Sequence, residues 1–134
     1  NENEMMHKEF GIGVDIESIG RFRKLDRTDD RLFLSRIFTK KELDYCFSKK
    51  FPAQHLAARY AAKEAVIKAL SSIGRIDFNY NSVEIFHNLN KAPMARVSSG
   101  NFRNLQIYIS LSHCKDRSIA FATVIKDGRH ENDK

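Results

Sequence analysis

Residues 52–70 constrain the fold more than any other part of the chain. Pro52 suits the first turn of a helix, and the alanines, leucines and long polar side chains after it favour the same conformation. At about 100° per residue, Ala58, Ala61, Ala62, Ala65 and Ala69 make a small-residue face. Leu56, Tyr60, Val66, Ile67 and Leu70 cover much of the rest, so this helix is expected to be central and almost surrounded by protein. Four ionisable groups interrupt it. Arg59 and Lys63 lie one turn apart, and Glu64 and Lys68 form a second such pair roughly a quarter turn round.

Two readings compete for these charges. In the bland one, Glu64 and Lys68 form a helix-supporting ion pair worth about 0.3–0.5 kcal/mol, and Arg59 and Lys63 reach water along their apolar stems. In the sharp one, the carboxylate and three cations converge on a metal-bound polyphosphate, whose charge offsets their desolvation. Asp15 favours the second. It lies in an alternating stretch where Ile12, Val14, Ile16 and Ile19 are separated mostly by Gly11, Gly13, Asp15 and Glu17. That pattern predicts a strand with the isoleucines toward the core and Asp15 on the opposite face. A carboxylate beside glycines that permit close backbone approach suits Mg²⁺, which takes one or two carboxylates and fills its shell with water and phosphate.

The remaining elements predict one α+β domain over about 10–125, with 1–9 and 126–134 as solvated tails. A basic stretch, Arg21, Arg23, Lys24, Arg27 and Arg31, contains Phe22, Leu25, Leu32 and Phe33 as anchors for short helices. Thr39 and Glu42 have capping-box spacing, and Leu43, Cys46 and Phe47 supply the apolar stripe of the helix that follows. Segments 83–86, 95–97, 105–111 and 119–125 read as hairpin-connected strands. The net charge of +6 asks for an acidic partner: nucleic acid, anionic lipid, a polyphosphate or an acidic protein. Cys46 and Cys114 show no metal or redox spacing and read as free thiols in a reducing compartment. No run approaches the roughly twenty apolar residues of a membrane span, so a soluble cytoplasmic protein is expected; a removed targeting peptide before Asn1 would make it organellar instead.

With these motifs in place, the chain resembles the small holo-acyl-carrier-protein synthases of the 4′-phosphopantetheinyl transferase family. Gly11-Ile12-Gly13-Val14-Asp15-Ile16-Glu17 matches the family's first motif, and Arg59-Tyr60-Ala61-Ala62-Lys63-Glu64-Ala65 its second. The turn Asn90-Lys91-Ala92-Pro93 and the run Ser110-Leu111-Ser112-His113 add weaker marks. The resemblance implies a mainly antiparallel sheet wrapped around the long helix. It implies that a carrier serine attacks the β-phosphate of coenzyme A, releasing adenosine 3′,5′-bisphosphate, for fatty acid synthesis. Asp15 and Glu64 would hold Mg²⁺ and, with Lys68, serve catalysis. Arg59, Lys63, Lys68, Pro93 and His113 would line the nucleotide or phosphate region. A homotrimer with sites at subunit boundaries is implied too, as is a docking helix whose Arg21, Arg23, Lys24 and Arg27 meet an acidic apo-acyl carrier protein. Two departures stand out: Ser71-Ser72-Ile73 replaces a Gly-Thr-Gly loop, and Lys91 replaces the glycine of a Gly-x-Pro turn.

Other classes carry less. Phe102, Tyr108 and Phe121 between cations would serve a small nucleic-acid-binding module, but they read more simply as strand core, so no nucleic-acid or membrane partner is expected. Ser110 and Ser112 lack the glycines of a nucleophile elbow and the acid of a triad. A histidine such as His113 at a strand end is more often structural than catalytic, and its motif context points to ligand contact. A transferase serving a polyketide or peptide carrier domain would share all these features.

Overall fold

The computed structural model describes residues 8–76, 78–98 and 104–127. Strand β1 (Lys8–Ser18) leads through a 3-10 turn (Ile19–Phe22) to three helices, α1 (Arg31–Ile37), α2 (Lys40–Phe47) and α3 (Pro52–Ser72). A second 3-10 turn (Tyr80–Ser82) precedes β2 (Val83–His87), β3 (Pro93–Val97), β4 (Leu105–His113) and β5 (Arg117–Asp127). The strands form an antiparallel sheet in the order β1-β5-β4 and a separate β2-β3 hairpin. This is the expected α+β arrangement around a central helix. The strands outrun the predicted domain limits, since Lys8 and Glu9 pair with Asp127 and Lys126.

The contact between α3 and the sheet is made of the smallest side chains. Ala61, Ala62, Ala65 and Ala69 are fully buried against Ala120, Ala122 and Val124 of β5. On β1 the approach is closer still. A Cβ added at Gly13 would lie 2.0 Å from the Ala65 carbonyl oxygen, and one at Gly11 would lie 2.1 Å from that of Ala69. Only glycine lets strand backbone rest on helix backbone at this distance.

This contact reverses the predicted facing of β1. Gly11, Gly13, Asp15 and Glu17 form the inner face, while Ile12 and Ile16 stand 64% and 60% exposed beside exposed Phe10 and Val14. The alternation was read correctly, but hydrophobicity does not choose the core side here. A helix of alanines needs glycine opposite it, and with a period of two the isoleucines must then point outward. Tyr108, Ile119 and Phe121 join them on the outer face. Tyr108 and Phe121 are therefore not core residues, and Phe102 lies outside the described residues.

A second core packs α1, α2 and the first 3-10 turn on the N-terminal half of α3, through Phe22, Leu34, Ile37, Phe38, Cys46 and Leu56. Leu34 and Ile37 anchor α1, whereas the expected anchors Leu32 and Phe33 are exposed. The capping box of α2 is present: the Glu42 amide donates to Thr39 Oγ1 at 3.2 Å, and the Thr39 amide to Glu42 Oε1 at 2.8 Å.

Residues 23–30 form turns, so Arg23, Lys24 and Arg27 do not sit on the expected helix. The cause is local: the Asp26 carboxylate accepts from the amides of Thr28 and Asp29, and that of Asp30 from the amide of Asp26. Where a Gly-Thr-Gly loop was missing, α3 runs on to Ser72, is capped at Ile73, and the chain turns away at Gly74 with φ +84°. The Arg75 amide donates back to the Leu70 carbonyl, so this is a helix C-terminus presenting carbonyls, unsuited to cradle phosphate. At the other departure Lys91 takes φ +64°, the left-handed conformation that costs glycine nothing. Asn88 Oδ1 braces that turn by accepting from the amides of Asn90 and Ala92.

Candidate metal and nucleotide site

The Gly11 and Gly13 contact brings the inner face of β1 down onto α3 where Glu64 projects. Ligand oxygens of Asp15, Glu17 and Glu64 all lie within 4.8 Å of one another. Lys68 Nζ donates to Asp15 Oδ1 at 3.3 Å and to the Val14 carbonyl at 3.1 Å. Arg21 reaches Glu17 Oε1 at 3.0 Å. Lys68 thus pairs with Asp15, the carboxylate across the interface. The Tyr60 hydroxyl donates to that of Tyr80 at 3.5 Å, and this bond, burial and the nearby Glu64 carboxylate push the Tyr80 ionisation up.

Three carboxylates in so small a volume repel one another. Burial pushes the Glu17 carboxyl up to about 7; neighbouring Asp15 and the charge of Glu64 add to this, and Arg21 opposes it. Asp15 Oδ2 is buried with no hydrogen-bond partner. An acidic, all-oxygen cluster with an unmet ligand atom fits a hard dication such as Mg²⁺, which would relieve both strains. Asp15 and Glu64 therefore meet as expected, and Glu17 joins them. Glu17 was not singled out, although its spacing of two from Asp15 on a strand already put both on one face.

Lys63 is not part of this site. Its ammonium is 0% exposed, 2.8 Å from Glu42 Oε1 and 2.8 Å from the Tyr80 carbonyl, and it also donates to the Val83 carbonyl. Glu42 in turn accepts from the Ile85 amide at 2.7 Å. Burial lowers the Lys63 pKa, and the Glu42 charge works against that. The expectation that Lys63 lines the phosphate region fails because its cation joins α3, α2 and β2 in a closed interior pair.

Arg59 opens on a different space. It borders two cavities, of about 270 and 180 Å³, that share Tyr45 and His87. Its guanidinium lies 4.0 Å from the centre of the Tyr45 ring and 3.2 Å from His87 Nδ1. The smaller cavity also carries His55 and His113, the latter 3.1 Å from Gln54 Nε2. Pro93 pairs with His87 in the β2-β3 register. Arg59 and His113 are thus brought together, with Pro93 one strand away. His55 and His87 were missed, although His55 precedes Arg59 by one helical turn. Burial lowers the pKa of both, and the Arg59 and Lys49 charges lower them further.

The basic segment divides in two. Arg21 and Arg27 are engaged by Glu17 and Asp44. Exposed Arg23, next to exposed Lys24, borders a cavity of about 320 Å³ lined by Ile19, Phe22, Leu25 and Phe51, with Lys50 and Lys115 also on its wall.

The family model of the 4′-phosphopantetheinyl transferase superfamily matches residues 11–123, from Gly11 to Thr123. The chain is 41% identical over 115 residues to a holo-[acyl-carrier-protein] synthase of Protochlamydia amoebophila, covering 84% of this chain and 94% of that one. It is 42% identical over 117 residues to the enzyme of the same name from Chlamydia muridarum, covering 84% and 92%. The crystal structure of Helicobacter pylori holo-[acyl-carrier-protein] synthase in complex with coenzyme A superimposes with a TM-score of 0.71 at 31% identity, covering 84% of this chain and 98% of that one. The carboxylate cluster, the arginine-lined cavity and these likenesses lead to one conclusion: the chain belongs to the 4′-phosphopantetheinyl transferase superfamily.

Proposed function

We propose that this chain moves the 4′-phosphopantetheine group of coenzyme A onto a serine of apo-acyl carrier protein, giving the holo carrier and adenosine 3′,5′-bisphosphate, in fatty acid synthesis. The observation that carries this reading is the meeting of Asp15, Glu17 and Glu64 beside Lys68, with Glu64 five residues along α3 from Arg59. Five residues are about 7.5 Å of helix axis, a reach that suits a nucleotide with its pyrophosphate at one end.

Asp15, Glu17 and Glu64 would hold Mg²⁺, which when bound supplies positive charge to the pyrophosphate and its leaving oxygen. Lys68 adds a cation at the edge of the cluster, and Arg59 holds the nucleotide phosphates from the cavity side. His113 and Pro93 border the nucleotide on strands β4 and β3. As the serine oxygen attacks phosphorus its proton passes to an acceptor in the acidic cluster.

The acidic carrier approaches over Arg23 and Lys24, beside a cavity whose wall mixes Phe22, Leu25 and Phe51 with the cations Arg23, Lys50 and Lys115. The outer face of β1 and β5, with Ile12, Val14, Ile16, Ile119 and Phe121 exposed, is too apolar and continuous for a surface left in water. Covering it with further copies in a homotrimer accounts for the isoleucines that point away from the core. Free Cys46 and Cys114 suit a reducing compartment such as the cytoplasm.

The test is transfer itself. Purified protein, coenzyme A, Mg²⁺ and apo-acyl carrier protein are expected to give a carrier heavier by one phosphopantetheine, and coenzyme A with Mg²⁺ is expected to raise the melting temperature. An unmodified carrier together with an unmoved melting temperature would sink the assignment.

A further inference from the structure

Arg59 is only 3% exposed, and its Nε is buried with no hydrogen-bond partner. A guanidinium so enclosed needs something to fix its plane. Two groups do so. The Tyr45 ring supports one face at 4.0 Å, and His87, itself stacked on Tyr45 with centroids 5.3 Å apart, meets Nη2 through Nδ1 at 3.2 Å. Arginine only donates and stays charged at any pH a protein tolerates. His87 Nδ1 must therefore accept, which requires a neutral ring with its proton on Nε2.

We propose that His87 is a positioning residue for Arg59: its neutral imidazole holds the guanidinium against Tyr45 and toward the nucleotide phosphates, and protonation of His87 releases it. This rests on the transferase reading of the cavity, and goes beyond it by assigning a role to a histidine outside the family motifs. A protonated His87 has no lone pair to offer at Nδ1 and sets a second cation against Arg59.

The surroundings favour the holding state at neutral pH. Burial, and then the charges of Arg59 and Lys49, keep the His87 ring below its ordinary value. His55 of α3 meets the Tyr45 ring edge-on, shares the smaller cavity with His87, and is depressed likewise. Lys41, Glu84 and Arg96 border the larger shared cavity, and His113 the smaller. Glu84 is occupied by Arg96 at 2.8 Å and by Thr39 at 3.0 Å, so it does not supply His87 with a counter-charge. Across the β2-β3 ladder stands Pro93, which does not titrate.

The experiment measures affinity for adenosine 3′,5′-bisphosphate, with the KM for coenzyme A and kcat, in the full chain and two variants. His87→Ala removes the acceptor; His87→Asn keeps an oxygen near the place of Nδ1 that does not protonate. His87→Ala is expected to weaken the bisphosphate and raise KM about tenfold with kcat nearly unchanged, and His87→Asn to stay within about threefold of the wild type. As pH falls from about 7.5 to about 5.5, wild-type affinity is expected to drop faster than that of His87→Asn. Titration of His55, His113 and the ligand is common to both proteins, so the ratio isolates His87. If His87→Ala unfolds, the wild type and His87→Asn still give the pH ratio. A His87→Ala protein that binds as the wild type does, a His87→Asn protein as weak as His87→Ala, or a ratio flat with pH overturns the proposal alone. A wild type that neither binds the bisphosphate nor turns over overturns the transferase reading and this proposal with it.

Discussion

Lys63 and Glu64 are neighbours on α3, and their charges meet opposite fates. The Lys63 ammonium is sealed inside with Glu42 and two carbonyl oxygens, so the protein itself supplies every partner. Glu64 turns into a half-buried group of three carboxylates in which one oxygen of Asp15 has no partner at all. Both arrangements place ions where water is scarce. A complete set of partners makes a charge part of the fold, and an incomplete set makes it a site.

The sealed pair is where breakage should show most in stability. Lys63→Met leaves Glu42 buried with its charge uncompensated, and is expected to destabilise the protein by about 3–5 kcal/mol in denaturant unfolding. Adding Glu42→Gln should recover part of that loss, because the amide still accepts from Ile85. A single variant as stable as the wild type would show that the pair is not a structural tie.

The open cluster should break in the other direction, in chemistry and not in folding. Asp15→Asn or Glu64→Gln is expected to lower Mg²⁺-dependent transfer at least ~100-fold, while the melting temperature without metal holds or rises as repulsion is relieved. Full turnover by either variant would remove these carboxylates from the metal site.

The comparison sharpens further with pH. The folded protein holds a proton on Glu17 up to about pH 7, whereas an ordinary glutamate releases it near 4.5. The native state therefore binds more protons than the unfolded chain between those values. This contribution is fully present below 4.5 and is lost as pH rises through about 7. In chelator, the melting temperature should fall over that interval more for the wild type than for Glu17→Gln, and Mg²⁺ should restore it most at the upper end. Parallel melting curves for the two proteins would show that Glu17 is not crowded.

Local signals were legible in the sequence and most partnerships were not. The capping box of α2, the extent of α3 and the four later strands follow from spacing and propensity within a few residues, and the structure contains them. The pairing of Asp15 with Glu64 was legible because two separated motifs each brought a carboxylate. The facing of β1 was not, since alternation defines two faces without saying which one a helix will meet; Gly11 and Gly13 decided it through contacts with Ala69 and Ala65. Lys63 was grouped with the phosphate-binding residues because it stands in their motif. Its real partner, Glu42, was read only as half of a capping box. Glu42 performs both tasks with one oxygen, Oε1, while Oε2 takes the Ile85 amide, and nothing short of the tertiary packing reveals the second task.

One strand is a single residue thick, and β1 spends both of its sides. Odd positions from Gly11 to Glu17 set the height of the strand above α3 and supply two of the three carboxylates. Even positions from Phe10 to Ile16 are the apolar skin on which other copies would settle. In the proposed trimer, whatever tilts or slides this ribbon from its outside would move Asp15 and Glu17 on its inside, so dilution and cation binding should read out on each other.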